Sequence, residues 1–175
     1  MTRAAVAVVI PARDEADGIA RSLEHVLCAL HLAQVTSPLV VVAADSCVDG
    51  TAAIARAALG ARAIVVEGDW GCVGQAREAG TFAALAALGA GEGWLANTDA
   101  DTLVPRTWIR HQLAHYAAGA AAVAGIVQVA DFGEHPRGTA RAFAQNYRVP
   151  AGGAHTHVHA ANLGRSIAAY VDSGG

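Results

Sequence analysis

Two aspartates separated by one residue, Asp99 and Asp101, are the first candidates for chemistry in this sequence. They follow the short apolar run Gly93–Asn97, which predicts a buried strand. If the chain turns after that strand, both carboxylates face one cavity. Their hard oxygens suit Mn²⁺ or Mg²⁺, which bridge to substrate phosphates and neutralise charge on a leaving diphosphate. A solvated turn or a helix cap is the simpler explanation of an isolated pair, so the position after a strand carries the hypothesis.

A second polar cluster begins at Asp45, directly after the predicted strand Leu39–Ala44. A carboxylate at the end of a strand is placed to accept a hydrogen bond from a nucleobase N–H or a ribose hydroxyl. The neighbouring Asp49 and Thr51 are expected to have a structural role, capping the helix that follows. Asp45 is therefore the ligand-contact candidate of this cluster.

The third cluster leaves the first predicted strand, Ala4–Ile10, which Pro11 is expected to end. Backbone groups at Pro11 and Ala12 are placed to meet a nucleobase or a ribose. Glu15 suits a ribose hydroxyl, and it equally suits the first turn of a helix, where negative charge is favourable. Arg13 is expected at the surface.

The loop Gly71–Gly74 precedes a predicted helix, Gln75–Leu88, that carries Arg77. A helix N-terminus and an arginine both favour a diphosphate. The alternative for Arg77 is a salt bridge within the protein. Neither the dinucleotide fingerprint nor the P-loop pattern occurs in the sequence.

Three histidines alternate along the chain at His155, His157 and His159. In an extended segment they would share one face, where they could bind a transition metal, or where one of them could contact an acceptor or a phosphate. A polar edge without a ligand is the simpler explanation, and no fourth metal ligand is visible beside them.

Strands and helices alternate along the chain, which predicts right-handed βαβ units in a parallel α/β sheet. Ligands of such sheets bind at the carboxyl ends of the strands, where the polar clusters fall. The remaining predicted elements are a helix over Asp14–Leu32 capped by Asp14 or Asp17, a helix over Ala52–Leu59 closed by Gly60, a strand over Ala63–Glu67, a helix opened by Pro105 and a strand over Ala121–Val129.

The composition indicates one globular domain spanning residues 1–175, because 54% of the residues are apolar and only 15% are charged. A net charge of −3 without basic runs gives no reason to expect a nucleic-acid partner. No apolar run reaches the roughly 20 residues of a transmembrane helix, and no cleavable signal is visible. With three cysteines in unpaired spacing, a cytoplasmic location is expected.

Five stretches in order resemble family 2 glycosyltransferases of the GT-A fold: VVIPARDEADGI, VVVAADSCVDGT, GCVGQAREAG, WLANTDAD and HAANLGRSIAAYVDSGG. Together they cover the chain almost end to end. The resemblance implies transfer of a sugar from a UDP- or GDP-linked donor to an acceptor hydroxyl, with Mn²⁺ or Mg²⁺ as cofactor. Family 2 membership further implies inversion at the anomeric carbon, although retaining GT-A enzymes share the early motifs.

The resemblance also assigns roles to residues. Asp101 and Asp99 match the metal-binding acids, with Asp101 as the direct ligand, and His159 and Asn162 are placed on the acceptor side. The donor-binding positions are Pro11, Ala12, Glu15, Asp45, Arg77 and Asp99.

The resemblance leaves the catalytic base unassigned. In the family an acidic motif follows the glycine pair matched by Gly174-Gly175, and Asp131, Glu134 and Asp172 do not lie at the corresponding place. We therefore expect this chain to be either a fragment of a longer enzyme that carries the motif or the product of a shortened gene. An incomplete sheet would expose apolar surface and favour a homo-oligomer. The alternatives are a non-catalytic nucleotide-sugar-binding module and a sugar-phosphate nucleotidyltransferase. The latter class carries a glycine-rich loop after its first strand, which PARDEADG does not match.

Overall fold

A computed structural model describes residues 4–60, 63–89, 91–133, 135–147 and 155–175. The strands are β1 Ala5–Ala12, β2 Pro38–Asp45, β3 Ala63–Gly68, β4 Gly93–Asn97, β5 Ala122–Ala124 and β6 Leu163–Ser166. The helices are α1 Ile19–Leu32, α2 Thr51–Leu59, α3 Val73–Leu88, α4 Trp108–Ala117, α5 Thr139–Asn146 and α6 Ile167–Asp172, with a 3₁₀ turn at Ala160–Asn162. None of the helices in these described ranges combines the length and apolar character needed to cross a bilayer.

The strands form one sheet in the order β3-β2-β1-β4-β6-β5. The first four strands in chain order are parallel to one another, with β1 between β2 and β4. The central strand is buried from Val6 to Ala12, which explains its nearly unbroken apolar sequence. The prediction of a parallel α/β core is confirmed.

The other edge of the sheet is antiparallel, because β6 runs against both β4 and β5. The strand expected over Ala121–Val129 is wrong in extent, since only Ala122–Ala124 pairs and Ile126 and Val129 are exposed. The sequence LGRS of β6 contains one large apolar residue and gave no strand signal. Its partner β4 supplies the pairing that local sequence does not predict.

Helices cover both faces of the sheet. On one face α1, α2 and α4 enclose a core that includes Ile10, Leu23 and Trp94. On the other face α3 and α6 pack over Val9, Leu95 and Tyr170 of a second apolar cluster. The sheet is therefore a rigid platform, and the loops at the carboxyl ends of β1, β2 and β4 project from one edge of it.

Two predicted boundaries near the first strand are wrong. Pro11 lies inside β1, opposite Ala43 of β2, while pairing with β4 stops at Val9. The backbone groups of residues two apart in a strand point to the same side, so Pro11 faces β4, as Val9 does. Because β4 has already ended there, the N–H that proline lacks would have no strand partner. Helix α1 begins at Ile19 after an uncapped Gly18, because residues 13–18 form a loop.

Two later helices also begin at residues other than those predicted. Helix α3 begins at Val73, two residues before the predicted start, and α4 begins at Trp108 instead of at Pro105. The Pro105 carbonyl accepts a hydrogen bond from the Trp108 N–H at 2.9 Å, so the proline belongs to the turn that leads into the helix.

Candidate functional site

A cavity of about 280 Å³ lies at the carboxyl ends of β1, β2 and β4. Three polar clusters predicted from the sequence meet there, as expected for this kind of sheet. The lining residues are Pro11, Ala12, Arg13, Glu15, Asp45, Gly71, Cys72, Val73, Ala76, Asp99, Ala100 and Asp101.

The segment after β4 presents its two aspartates to this cavity because the residue between them is anchored in the core. Ala100 and Val104 are both buried in the cluster beneath the sheet. Asp99 and Asp101, on either side of Ala100, line the cavity. The anchoring thus fixes where both carboxylates stand.

Helix α1 holds the same segment from below. The Ser22 hydroxyl donates to the Thr102 carbonyl at 2.9 Å, and His25 Nδ1 lies 3.1 Å from the Val104 carbonyl. Because a carbonyl oxygen only accepts, His25 donates its Nδ1 hydrogen. These bonds satisfy backbone groups that leave the sheet, and they make the aspartate loop part of the rigid scaffold.

Arg77 reaches the aspartates from α3. Its Nη2 donates to Asp99 Oδ1 at 2.9 Å, and the two side chains are 14% and 38% exposed. The salt bridge given above as the alternative role of Arg77 is therefore present, and the acid that Arg77 contacts is one of the two predicted metal-binding acids. Arg77 stands behind Asp99 and does not line the cavity itself.

Asp45 closes the cavity on the β2 side. Its Oδ1 accepts hydrogen bonds from the N–H groups of Trp70 and Gly71, at 2.8 and 2.9 Å, and from the Ser46 hydroxyl at 3.1 Å. The Gly71 bond is the main cause that lowers the pKa of Asp45, while burial opposes it. Asp45 is thus ionised at neutral pH, and it anchors the loop before α3.

Glu15 is held at the cavity by its backbone. Its N–H donates to the Thr51 hydroxyl at 2.8 Å, and the next N–H, that of Ala16, donates to Asp49 Oδ2 at 3.0 Å. Asp49 also accepts from the Thr51 N–H at 2.9 Å. The role of Asp49 and Thr51 is structural, as expected, but the capping expected of them is wrong, since the N-cap of α2 is Gly50, without a side-chain cap bond. Instead, the two residues tie the Glu15 loop to the start of α2.

The electrostatics of the cavity favour a cation. The pKa of Glu15 is raised, first because burial disfavours its charged form and then because the charges of Asp101, Asp49 and Asp99 repel it. Several carboxylates thus share a small concave space, where a divalent cation would relieve their mutual repulsion.

The donor set at the aspartate loop fits Mn²⁺ or Mg²⁺. Asp101 is exposed, and its only hydrogen bond within the described residues is a long one, 3.4 Å, from the Thr102 hydroxyl. Asp99 keeps Oδ2 available, because Arg77 uses Oδ1. Two hard carboxylates that leave coordination positions for water and phosphate are typical of such sites.

A second group of atoms that could bind a metal is found on Asp14, Cys47 and Asp49, and these atoms lie within 4.8 Å of one another. These atoms serve the backbone: Asp14 Oδ1 accepts from the Val48 N–H at 2.8 Å, and Cys47 Sγ donates to the Ala12 carbonyl at 3.5 Å. Asp49 is engaged by the hydrogen bonds described above. The cluster locks two loops together, and its soft sulfur ligand suits Mn²⁺ or Mg²⁺ less than the aspartate loop does.

Two cavity residues escaped the sequence interpretation. Arg13 is exposed as expected, but it lines the cavity, and its charge helps to lower the pKa of Asp45. Cys72 precedes α3, and the N–H groups of Gln75 and Gly74 lower the pKa of its thiol. The position of Cys72 just before a helix was the sequence feature that could have indicated its place at the cavity.

The two residues expected on the acceptor side, Asn162 and His159, do not line this cavity. Asn162 precedes Leu163, which pairs with Asn97 at the end of β4, so it lies at the same edge of the sheet. Its Oδ1 accepts from Trp108 Nε1 at 2.8 Å, and its Nδ2 donates to the Ile126 carbonyl at 2.9 Å. Asn162 therefore supports the local structure, and its acceptor role stays a prediction.

His159 belongs to a ladder of stacked rings. The ring centroids of His155 and His157 are 5.8 Å apart, those of His157 and His159 are 6.1 Å apart, and Tyr147 stacks on His157 at 4.3 Å. The histidines share one side as expected, although the segment pairs with no strand among the described residues. Their rings lie in a row and do not converge on one point, which does not suit a shared metal ion. Glu134, set aside as a catalytic base, lies outside the described residues.

Several solved structures are similar to this one. Mannosyltransferase PcManGT from Pyrobaculum calidifontis, in complex with GDP-Man and Mn²⁺, has a TM-score of 0.65 and 20% identity over 94% of this chain and 45% of its own. Mannosyl-3-phosphoglycerate synthase from Rubrobacter xylanophilus has a TM-score of 0.59 and 20% identity over 94% and 54%. S. aureus TarS in complex with UDP-GlcNAc has a TM-score of 0.56 and 19% identity over 74% and 36%.

At these identities the similarity shows the GT-A fold alone, and the chain spans about half or less of the length of these proteins. No match is found among curated proteins. The model of the family described as glycosyl transferase family 2 matches residues 7–168, which is nearly the whole chain. This chain therefore belongs to glycosyl transferase family 2.

Proposed function

We propose that this chain forms the donor-binding part of a glycosyltransferase that moves a sugar from a UDP- or GDP-linked donor to an acceptor hydroxyl. The observation that carries the proposal is the cavity at the carboxyl ends of β1, β2 and β4, where Glu15, Asp45, Asp99 and Asp101 meet. Family membership favours this reaction over the nucleotidyltransferase alternative.

The order of the strands gives the donor a direction. Asp45 ends β2, Glu15 follows β1 and the aspartate pair follows β4, so the three positions lie in sequence along the edge of the sheet. Adjacent strands lie roughly 4.8 Å apart. We assign the nucleoside to the side of Asp45, with Pro11, Ala12 and Glu15 beside base and ribose, and the diphosphate to the side of Asp99 and Asp101.

Each charged residue then has a task. Asp45, kept ionised by its backbone donors, accepts from a nucleobase N–H or a ribose hydroxyl. Asp101 would hold Mn²⁺ or Mg²⁺ with Asp99 beside it, and the bound cation would neutralise charge on the leaving diphosphate. Arg77 fixes Asp99 and adds positive charge behind it. His159 and Asn162 remain proposed contacts on the acceptor side.

Two of the similar structures support this assignment by what they contain. PcManGT was solved with GDP-Man and Mn²⁺, and TarS with UDP-GlcNAc. Both nucleotide classes are therefore bound on this fold. The nucleotide of this chain must be found by experiment, because base and sugar are selected by the shape of the pocket.

Thermal unfolding with UDP and GDP, each with and without Mn²⁺, tests the proposal. A nucleotide at about 100 times its Kd adds about 2.7 kcal/mol, a rise in Tm on the order of 5–10 °C for this size. We expect the rise to require Mn²⁺ and to be lost in Asp101→Asn. The exposed Asp172→Asn, outside the cavity, is the matched control and should keep the full response.

The proposal fails if the wild-type protein melts cooperatively but responds to neither nucleotide. It fails in its metal assignment if Asp101→Asn keeps the same Mn²⁺-dependent rise as Asp172→Asn.

A further inference from the structure

Within the described residues several buried side-chain atoms have no hydrogen-bond partner: Oγ1 of Thr98, Nδ1 of His155, Nε2 of His159, Nε of Arg77, Nε of Arg165 and both polar atoms of Asn97. Three of these side chains, Arg77, Arg165 and Asn97, form a cluster next to the proposed donor site. Asn97 is 1% exposed, and neither its Oδ1 nor its Nδ2 has a partner within the described residues. Buried polar groups in native proteins are nearly always paired, so a cluster of unpaired ones requires a reason.

The register places these side chains on one face of the sheet. Leu95 and Asn97 are two residues apart on β4 and share a face, and Arg165 of β6 pairs directly with Leu95. Asn97 and Arg165 are therefore diagonal neighbours, a relation within reach of a long side chain. Helix α3, which carries Arg77, covers the same face at Val9, the partner of Asn97 on β1.

Arg165 is held in place without a counter-charge. Its guanidinium carbon lies 4.4 Å from the centre of the Tyr170 ring. Among the described residues no acidic side chain pairs with it. Burial lowers the pKa of Arg165, the Tyr170 charge opposes this, and the charge of Arg77 lowers it further. Tyr170 thus fixes the orientation of a cation whose fork of N–H groups remains available.

The charges around this cluster do not balance. Arg77 is paired with Asp99, whereas Arg165 has no acidic partner among the described residues. A half-buried cation without a partner is costly, and a bound anion removes the cost. A phosphate monoester carries about −1.5 to −2 charges and three acceptor oxygens, which matches two guanidinium forks better than a singly charged carboxylate does.

The location decides what the phosphate would belong to. In the sheet β6 lies beyond β4, on the side away from β1 and β2. A group at Arg165 would therefore approach Asp99 from the side opposite to the nucleoside position. We propose that Arg165 and Asn97, with Arg77 at their side, bind a phosphate group of the acceptor. The assignment of this phosphate to an acceptor rests on the proposed function, whereas the anion site itself does not.

Calorimetric titration with inorganic phosphate, in EDTA, tests the anion site apart from the donor site. We expect saturable binding to the wild-type protein. We expect a Kd about 10- to 100-fold larger for Arg165→Gln, because this variant loses charge-assisted hydrogen bonds to the phosphate. The matched control is Arg56→Gln, because Arg56 is an exposed arginine paired with Glu67 on the far side of the sheet. It should bind phosphate like the wild type. Arg165→Lys keeps the charge but loses the fork, and should bind with intermediate affinity.

A second titration, with Mn²⁺ and saturating UDP or GDP present, distinguishes the acceptor from the donor as the source of the phosphate. We expect phosphate to bind with undiminished affinity beside the nucleotide. Competition between them would overturn the acceptor assignment, since the phosphate would then occupy the donor's diphosphate position.

Absence of phosphate binding to the wild type, or equal binding by wild type and Arg165→Gln, would overturn the anion site. Arg165-dependent phosphate binding in a protein that ignores both nucleotides would support the anion site and refute the donor proposal instead. If Arg165→Gln does not fold, Arg165→Lys decides, and wild-type affinity in that variant counts against the site.

Discussion

Gly80 is the point where α3 approaches the sheet, and its replacement by alanine tests whether that approach positions Arg77. A Cβ at residue 80 would lie 2.8 Å from Cγ1 of Val9 and 3.4 Å from Cβ of Ala43. Carbon atoms pack at about 3.5–4.0 Å, so helix or sheet must move by about 0.7 Å. Val9 is fully buried and stiff at χ1, and it cannot turn away.

Two effects compete in Gly80→Ala. Alanine gains about 1 kcal/mol of helix propensity, while overpacking costs about 1–3 kcal/mol. With a contact this short in a rigid part of the core, we expect overpacking to win by about 1 kcal/mol. That corresponds to a fall in Tm of about 2–4 °C for a domain of this size. Since Arg77 lies one turn earlier in α3, we also expect a weaker Mn²⁺-dependent response to nucleotide.

Thermal unfolding followed by circular dichroism measures the effect, and Gly74→Ala is the matched control. In the same helix, a Cβ at residue 74 would lie 3.7 Å from Cys72 Sγ, an ordinary contact. Gly74→Ala should therefore melt at or above the wild-type temperature. The packing argument is refuted if Gly80→Ala is as stable as Gly74→Ala.

Two further predictions concern groups in the cavity. Because N–H groups at the start of α3 lower the pKa of the Cys72 thiol, we expect Cys72 to be alkylated faster at neutral pH than Cys28 or Cys47. We also expect nucleotide with Mn²⁺ to protect Cys72 from alkylation. Mass spectrometry measures both effects, and equal rates for the three cysteines, or no protection, would contradict the prediction. Because the pKa of Glu15 is raised in the folded state, its contribution to stability is fully present below the unfolded pKa of about 4.5 and is lost as pH rises through the folded pKa. The Tm of the wild-type protein minus that of Glu15→Gln, both measured without metal, should therefore fall as pH rises from the unfolded to the folded pKa. A difference that stays flat or rises would exclude the proposed repulsion.

Much of the fold could be predicted from the sequence because the central strands are buried on both faces. Residues such as Val8 and Val41 have no exposed surface, so the apolar runs around them indicate strands without ambiguity. Once these strands are parallel, the polar residues that follow them must meet at one edge. This is why the sequence alone predicts that Asp45, Asp99 and Asp101 lie in one site.

The parts that could not be predicted depend on contacts between distant residues. Asp14 adopts a positive φ of 52° and accepts a hydrogen bond from Val48, a residue far along the chain, so the predicted helix starts later. Strand β6 forms because β4 offers an edge, although its own sequence has a single large apolar residue. Arg165 shows the same limit, since nothing near it in the sequence indicates that it faces Tyr170 under α3.

The most direct test of the account is the position of Mn²⁺ in a crystal of this chain grown with Mn²⁺ and the nucleotide that stabilises it. We predict an anomalous peak within about 2.5 Å of a carboxylate oxygen of Asp101, with the diphosphate on the same ion and the nucleoside beside Asp45. A peak at the cluster of Asp14, Cys47 and Asp49, or a nucleotide bound away from the ends of β1, β2 and β4, would contradict the assignment of this cavity as the donor site.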